Sequence, residues 1–281
     1  MVPPVVAFGW VARHRDDVVL ADVRWYLDGR SGRGAYEEGH LPGAVFVDLD
    51  GCLTGEAGPR AGRHPLPAPE AFAAGMAALG IGDDDVVVAY DDTGGTTAAR
   101  LVWLLRVTGH SAALLDGGLR AYEGALEQAQ PSRPRAVFTP RPWPSDRLAG
   151  IEEAADRGHV VVDARDADRY RGEREPVDPR AGHIPGARSV PARENLDERD
   201  RLLPAHALRE RFAAAGVSDG AAVISYCGSG VTACHILLAL EHAGLGEGRL
   251  YPGSWSQYSH ARDRPVATGD EPAAAGLGHQ R

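Results

Sequence analysis

The sequence predicts an α/β protein built from two similar domains, each a parallel β-sheet flanked by helices. The length of 281 residues suggests two domains of ordinary size. Short apolar segments typical of buried strands alternate with segments of helical periodicity, which is the pattern of a parallel sheet covered by helices. Four short motifs also occur twice in the same order, which indicates a duplicated domain. The composition, 43% hydrophobic and 25% charged, is that of a globular protein.

The duplication is defined by four pairs of segments. An apolar strand ending in Asp-x-Arg comes first in each half, and Gly-His-(Leu/Ile)-Pro-Gly-Ala follows it. A second apolar strand then ends in a tyrosine, and a looser glycine-containing segment comes last. The paired segments are 18–24 and 160–165, 39–44 and 182–187, 85–90 and 221–226, and 117–122 and 252–258.

Segments of helical periodicity fall between these strands in both halves. The predicted helices are 69–79, 96–107 and 119–126 in the first half, and 167–171, 205–215 and 232–242 in the second. The halves are therefore predicted to be one domain over 1–129 and a second domain over 149–270.

A proline-rich segment, 130–148, joins the two predicted domains. Five prolines between residues 131 and 144 exclude a helix or the interior of a sheet. We expect an extended and fairly stiff linker. The final residues, 271–281, are rich in alanine and glycine and are predicted to be a flexible tail.

The segment with the clearest chemical signal is 221–240. It begins as a short apolar strand, continues through Cys227 and a Gly-x-Gly sequence, and ends as a helix. Cys227 is therefore expected at the carboxyl end of a strand, where parallel sheets bind ligands. The free N–H groups of the following helix, with amides turned inward by Gly228 and Gly230, favour a thiolate and a terminal persulfide anion on this cysteine.

A buried structural cysteine is the alternative interpretation of Cys227, because free cysteines often behave as small hydrophobes. Such a cysteine needs neither flanking glycines nor a strand–helix junction. Of the other two cysteines, Cys234 is predicted to lie in the core, and Cys52 has no functional assignment. The equivalent position in the first half is Asp91, which cannot carry a transferable sulfur.

The loop sequence Cys-Gly-Ser-Gly-Val-Thr-Ala after an apolar strand resembles the active-site loop of the rhodanese superfamily, in its 3-mercaptopyruvate sulfurtransferase form. The resemblance extends from about Val18 to Thr268 and implies a tandem arrangement with a catalytically inactive first domain. It also implies that Cys227 takes sulfur from 3-mercaptopyruvate as a persulfide and passes it to a thiophilic acceptor, namely cyanide, a thiol or a protein thiol. Thiosulfate is the alternative donor, and no metal or organic cofactor is implied.

The resemblance further implies which residues bind the small anionic donor. Arg169, in Arg-Tyr-Arg-Gly, resembles the family's arginine that holds the donor, a task suited to its planar fork. Val177 stands where the mercaptopyruvate group has a second arginine, and Arg180 or Arg174 is the candidate to replace it. The loop residues that would contact the donor are Gly228, Gly230, Val231 and Thr232.

Two further residues are implied as catalytic. In the mercaptopyruvate group the first-domain histidine, here His40, works with the loop serine, here Ser229, and an aspartate, for which Asp28 is the only upstream candidate. The alternative for His40 is a structural histidine that hydrogen-bonds the backbone within a turn, which is the interpretation we favour for its counterpart His183.

Several other functional classes are disfavoured. A net charge of −9 without a basic run argues against a nucleic-acid partner, no apolar run reaches membrane-spanning length, and no Cys-x-x-Cys pair indicates a zinc site. Three cysteines without a signal-peptide pattern predict reduced thiols in the cytoplasm. A cysteine phosphatase needs an arginine six residues after the nucleophile, where Ala233 stands. A non-enzymatic sulfur carrier or regulatory module is the third hypothesis, weakened because the second half keeps its cysteine.

Overall fold

Two parallel β-sheets, one in each half of the chain, form the framework of the fold. The computed structural model describes residues 2–270, and the predicted tail 271–281 lies outside them. The first sheet has the order β1-β5-β4-β2-β3 and contains Val5–Val6 (β1), Val18–Asp22 (β2), Val45–Phe46 (β3), Val86–Tyr90 (β4) and Ala112–Leu115 (β5). The second has the order β7-β6-β8-β9 and contains Val160–Asp163 (β6), Arg188–Ser189 (β7), Val223–Tyr226 (β8) and Arg249–Leu250 (β9). Neighbouring strands in both sheets pair in parallel, as predicted.

Helices flank both sheets. Those of the first half are Phe8–Arg13 (α1), Gly32–Glu38 (α2), Leu49–Cys52 (α3), Pro69–Ala78 (α4) and Ala98–Val107 (α5). Those of the second are Ile151–Ala155 (α6), Ala167–Arg171 (α7), Ala205–Ala214 (α8), Ala233–His242 (α9) and Ser254–Tyr258 (α10). Single 3₁₀ turns lie at Arg15–Asp17, Gly118–Ala121, Ser145–Arg147, Ala192–Asn195 and Gly220–Ala222. Within residues 2–270, every helix falls short of the length and apolarity that crossing a bilayer requires.

The helix predicted over 119–126 is wrong. Only the 3₁₀ turn Gly118–Ala121 forms there, after Gly117 and Gly118 adopt φ angles of +80° and +52°. These left-handed backbone angles do not propagate a helix. The backbone of Glu127 instead exchanges two 2.9 Å hydrogen bonds with His40. Backbone pairing across the domain therefore overrides the local helical pattern.

The two halves repeat the same register and the same buried ion pair. Asp22 lies opposite Tyr90 in the first sheet, as Asp163 lies opposite Tyr226 in the second. Each aspartate binds the arginine two residues later, at 2.8 Å and 2.7 Å. That arginine also donates at 2.7 Å to the carbonyl of the glycine that begins the Gly-His motif. The ion pair thus fixes the strand end against the Gly-His turn in both domains.

Helices α5 and α9 join the halves into one apolar core. Every side chain is buried over 98–105 in α5 and over 233–240 in α9. Most of them belong to a single hydrophobic cluster that spans both domains. Each helix begins directly after the loop at the carboxyl end of an inner strand, β4 or β8. The packing of α5 on α9 therefore sets where these two loops stand relative to each other.

The proline-rich linker lies against the first domain. It has no helix or strand before the 3₁₀ turn at Ser145–Arg147. The ring of Phe138 packs edge-on against Phe72 and stacks on His110, and the indole N–H of Trp143 donates to the carbonyl of Pro67 at 2.7 Å. These contacts anchor the linker by its aromatic side chains.

Candidate active site

Cys227 stands where β8 ends, in the loop that leads into α9. Its side chain is 3% exposed, and the N–H of Gly230 donates to its Sγ at 3.1 Å. Gly230 has a φ of +81°, and a Cβ there would lie 2.6 Å from the carbonyl oxygen of Pro252. Glycine is therefore required for the turn that directs this N–H at the sulfur.

The first residues of α10 hold the backbone of the same loop. The Cys227 N–H donates to Ser254 Oγ at 3.2 Å, and the Cys227 carbonyl accepts from the Trp255 N–H at 3.0 Å. The Gly228 carbonyl accepts from the Ser256 N–H at 2.8 Å. With its backbone groups bound in this way, the loop holds the thiol in one position.

A cavity of about 340 Å³ lies beside Cys227, and both domains line it. It occupies the carboxyl end of β8, the position predicted from parallel-sheet topology. The second domain contributes Cys227, Gly228, Ser229, Val231, Thr232 and Arg169, and the first contributes Trp25, Tyr26, Thr93 and Arg63.

Two guanidinium groups, one from each domain, face the loop at Gly228. A Cβ on Gly228 would lie 3.0 Å from Nη2 of Arg63 and 3.4 Å from Nη1 of Arg169. The glycine thus leaves room for both cations. Two arginines at one wall of a small cavity form a binding site for a compact anion.

Buried carboxylates hold these arginines in place. Arg169 Nη2 binds both oxygens of Glu175, at 2.7 Å and 2.9 Å. Arg63 binds Asp178, whose second oxygen lies 3.6 Å from Arg169 Nη2. The Glu175 and Asp178 side chains are 3% and 2% exposed. These two negative charges offset part of the positive charge of the two arginines, while three further arginines line the same cavity.

A serine, a histidine and an aspartate form a chain of contacts at the cavity. The Ser229 Oγ lies 2.7 Å from His64 Nδ1, and His64 Nε2 lies 3.4 Å from Asp50 Oδ1. Burial lowers the pKa of His64 to about 4, against the opposing effect of Asp50. His64 is therefore neutral near pH 7, with Nδ1 able to accept from the serine hydroxyl and Nε2–H directed at the carboxylate. This is the arrangement that polarises a serine hydroxyl.

The comparisons with known proteins agree with this geometry. The family model described as a rhodanese-like domain matches residues 9–125 and 149–261. The chain belongs to the rhodanese family. It is 42% identical to a probable 3-mercaptopyruvate sulfurtransferase of Pseudomonas aeruginosa, over 90% of this chain and 93% of that protein. It is 40% identical to a putative thiosulfate sulfurtransferase of Mycobacterium tuberculosis, over 90% and 92%.

Solved structures give the same family. The crystal structure of the Escherichia coli 3-mercaptopyruvate sulfurtransferase SseA aligns with a TM-score of 0.79 at 32% identity, over 90% of this chain and 99% of that chain. The 3-mercaptopyruvate sulfurtransferase from Leishmania major aligns with a TM-score of 0.83 at 30% identity, over 94% and 77%. The predicted tandem rhodanese fold is therefore confirmed.

The predicted contact of His40 with Ser229 is wrong. His40 is fully buried outside the cavity, with its ring stacked on Tyr36 and its Nδ1 2.8 Å from the Tyr36 carbonyl. His183 repeats this arrangement on Tyr170 in the second rhodanese domain. The duplicated motif thus places both histidines as turn-stabilising residues. Asp28, the suggested partner, lines the cavity but pairs with Arg30.

His64 occupies the position that was assigned to His40. It lies in Gly-Arg-His-Pro, a segment of the first half without a repeat in the second. A sequence signal did exist, because the same four residues contain Arg63, the other first-domain group at the site. The segment lies outside the four repeated motifs, so the duplication does not point to it.

The prediction that Arg180 binds the donor is also wrong. Its guanidinium donates to four backbone carbonyls, those of Tyr258, Ser259, Ala261 and Arg264, at 2.7–2.8 Å. It holds the segment after α10 and does not line the cavity. Arg174, the other candidate, is half-exposed and pairs with Asp168. Sequence spacing could not reveal that the second cation comes from the other domain.

The remaining predicted loop residues lie at the site. Gly228, Val231 and Thr232 line the cavity, and Gly230 contributes the N–H that reaches the sulfur. Cys234 is fully buried in α9, where burial raises the pKa of its thiol to about 12. Cys52 also has a pKa raised by burial. Neither cysteine is a thiolate near neutral pH.

The loop of the first rhodanese domain is closed by its own aspartate. Asp91 is fully buried, and its Oδ1 accepts from the N–H groups of Thr93 and Gly95 at 2.8 Å. Its Oδ2 accepts from the Thr97 N–H and hydroxyl at 2.8 Å and from the Ala98 N–H at 2.9 Å. The carboxylate therefore occupies the ring of backbone N–H groups, here called the amide cradle, that a bound anion would need in this loop.

Proposed function

We propose that this protein is a sulfurtransferase that moves sulfur from 3-mercaptopyruvate to a thiophilic acceptor through a persulfide on Cys227. The observation that carries the proposal is the position of the Cys227 thiol, bound by the Gly230 amide beside a cavity lined by Arg63, Arg169 and the Ser229 that contacts His64. The names of the similar proteins support the same activity.

The first half-reaction forms the persulfide. The Cys227 thiolate attacks the sulfur of the donor, so that an S–S bond forms as the donor's C–S bond breaks. The electron pair of that bond goes to the methylene carbon and delocalises onto the ketone oxygen as an enolate. The proton of the donor thiol balances the step: pyruvate leaves and Cys–S–S⁻ remains. The Gly230 amide and the N-terminus of α9 stabilise the anionic sulfur.

The groups around the cavity have distinct tasks in this step. Arg63 and Arg169 bind the donor carboxylate. Arg63 takes the role of the second arginine of the mercaptopyruvate group, at whose position this chain has Val177. The Ser229 hydroxyl, held by His64, donates a hydrogen bond to the developing enolate oxygen. Asp50 keeps the histidine in the tautomer that leaves Nδ1 free to accept.

The second half-reaction returns the cysteine. A cyanide, thiol or protein thiolate attacks the outer sulfur, a bond forms to that sulfur, and the S–S bond breaks with its electron pair on Cys227. Acceptor and first product occupy the site at different times, so the kinetics are ping-pong.

The serine and histidine favour mercaptopyruvate over thiosulfate as donor. Thiosulfate gives up sulfite without forming an enolate, so a hydroxyl donor at the ketone position contributes nothing to its reaction. Thiosulfate also brings two negative charges to a wall where Glu175 and Asp178 already offset part of the charge of the arginines. The monoanionic ketone donor suits both features better.

Steady-state rates with the two donors, in the wild type and in Ser229→Ala, test this proposal. We expect a higher kcat/KM for mercaptopyruvate, and a loss on the order of 10²-fold in Ser229→Ala with that donor alone. His206→Ala, at an exposed histidine of α8, is the control and should leave both rates unchanged. A wild type that prefers thiosulfate tenfold or more, about 1.4 kcal/mol in transition-state binding, would show that thiosulfate is the donor.

A further inference from the structure

Arg100 is a fully buried arginine on α5 that binds loops from both domains. Its Nη1 donates to the carbonyl of Gly230 at 3.1 Å. Its Nη2 donates to the carbonyl of His64 at 3.1 Å, with longer contacts to Pro65 at 3.3 Å and Leu53 at 3.4 Å. Among residues 2–270, no acidic side chain forms an ion pair with it, and its Nε has no hydrogen-bond partner.

A buried cation without a carboxylate is costly, because carbonyl dipoles offset only part of the hydration that it loses. The two residues that its Nη1 and Nη2 bind also contact the active site. The N–H of Gly230 binds the sulfur of Cys227, and the ring of His64 binds Ser229. One planar group therefore connects the amide that holds the sulfur to the histidine that holds the hydroxyl.

We propose that Arg100 is a positioning residue that sets the catalytic loop of the second domain against the histidine loop of the first. The proposal rests on the sulfurtransferase function proposed above. Its guanidinium fixes the distance between two carbonyls that belong to different domains, a constraint that a flexible lysine cannot reproduce. Its positive charge also contributes to the low pKa of His64, which keeps that ring neutral and able to accept from Ser229.

General stabilisation of the domain contact is the alternative role, and the same helix provides a matched control. Arg106 lies further along α5 and also crosses to α9, where it pairs with Glu241. It donates to the carbonyls of Val2 and Ala112 at 2.9 Å and 2.8 Å. Arg106 is thus an interdomain arginine that touches neither active-site loop.

The test compares Arg100→Lys with Arg106→Lys in the full chain, by thermal unfolding and by kcat and KM for mercaptopyruvate. We expect both variants to lose stability. Arg100→Lys should lose at least about tenfold in kcat, because small displacements of catalytic groups have large effects on rate, with KM within about twofold. Arg106→Lys should keep kcat within about twofold of wild type.

A double-mutant cycle with His64→Ala shows whether Arg100 acts through the histidine loop. In the His64→Ala background, Arg100→Lys should lose a smaller factor in kcat than in wild type, because the imidazole is absent and only the contact with the Gly230 carbonyl still affects the rate. Equal losses in both backgrounds would overturn the proposal, as would equal kcat losses in Arg100→Lys and Arg106→Lys. If Arg100→Lys and Arg100→Gln both fail to fold while Arg106→Lys folds, Arg100 is a stability residue and the proposal is wrong.

Alkylation of Cys227 by iodoacetamide without donor separates this proposal from the proposed function. If wild type turns over neither donor, the sulfurtransferase proposal fails, but the dependence of alkylation rate on pH still reports how Gly230 holds the sulfur. We expect that profile to change in Arg100→Lys and to stay the same in Arg106→Lys. An unchanged profile in Arg100→Lys, with kcat preserved or unmeasurable, would contradict a positioning role.

Discussion

The Cys227 loop and the Asp91 loop occupy equivalent positions in the two domains but hold different groups. Each follows an inner parallel strand and leads into one of the two helices that pack together at the centre of the protein. In the second domain the amide cradle holds a sulfur that faces a cavity. In the first domain it holds a carboxylate of the chain itself, through five hydrogen bonds. A fold built to hold an anion at this point can therefore hold a reactive one or a structural one.

The two loops also differ in what surrounds them. The N-cap of α9 is Thr232, five residues after Cys227, whereas the N-cap of α5 is Thr97, six residues after Asp91. At Gly94 in the longer loop, a Cβ would lie 2.3 Å from the Leu196 side chain of the other domain. Apolar packing thus covers the first loop at Gly94, while the second loop faces two arginines at Gly228. The first domain has an aspartate in place of the cysteine, and it supplies Arg63 and His64 to the site of the second domain.

Moving the cysteine to the first loop should not move the activity. We expect the double variant Cys227→Ser/Asp91→Cys to show no turnover above background with mercaptopyruvate and cyanide. A thiol at position 91 would be fully buried and would lack the arginines and the Ser–His pair. Thiocyanate release measures the result, with Cys227→Ser alone as the reference. Substantial recovery of activity would mean that both cradles are competent.

Removing the aspartate should destabilise the first domain strongly. In Asp91→Ala, five donors lose a charged acceptor inside the core, so we expect the free energy of unfolding to fall by about 3–5 kcal/mol. Urea unfolding followed by tryptophan fluorescence measures this change. Asp92→Ala is the matched control, because within residues 2–270 the Asp92 side chain accepts only from the Tyr26 hydroxyl, and it should cost about 1 kcal/mol. Equal losses at the two positions would refute a structural role for the cradle.

The free energy of unfolding should fall in mild acid, because two histidines are buried where the two halves meet. Burial lowers the pKa of His64 and of His235 to about 4, from a usual value of 6.5. Between pH 6.5 and about 4 the unfolded chain binds protons at these sites that the folded chain does not, so the free energy of unfolding decreases as pH falls and levels off below about 4.

Each pKa unit corresponds to about 1.4 kcal/mol, so His235→Gln should flatten this dependence measurably. His206→Ala, at the surface, should not. Urea unfolding at intervals between pH 7 and pH 4 makes the comparison. A dependence that His235→Gln leaves unaltered would show that His235 is not responsible for any of the acid sensitivity.

The sequence predicted the features that local pattern and repetition encode. Strand ends, most helix bounds and the position of Cys227 follow from periodicity and from the glycines around one cysteine. It could not predict which side chains from distant segments meet, because that depends on the packing of α5 on α9. For this reason His64 and Arg63 were missed, and His40 and Arg180 were assigned in their place. The false helix over 119–126 has the same origin, since Glu127 pairs with a backbone remote in sequence.

Cys227 alone should carry the transferred sulfur, because the proposed mechanism uses no other thiol. Incubation of wild type with mercaptopyruvate and no acceptor, followed by intact mass and peptide mapping, tests it directly. We expect a gain of one sulfur atom on the peptide that contains Cys227, lost on addition of cyanide, and no gain in Cys227→Ser. Sulfur found instead on Cys52 or Cys234, or a gain of sulfur that persists in Cys227→Ser, would contradict the account.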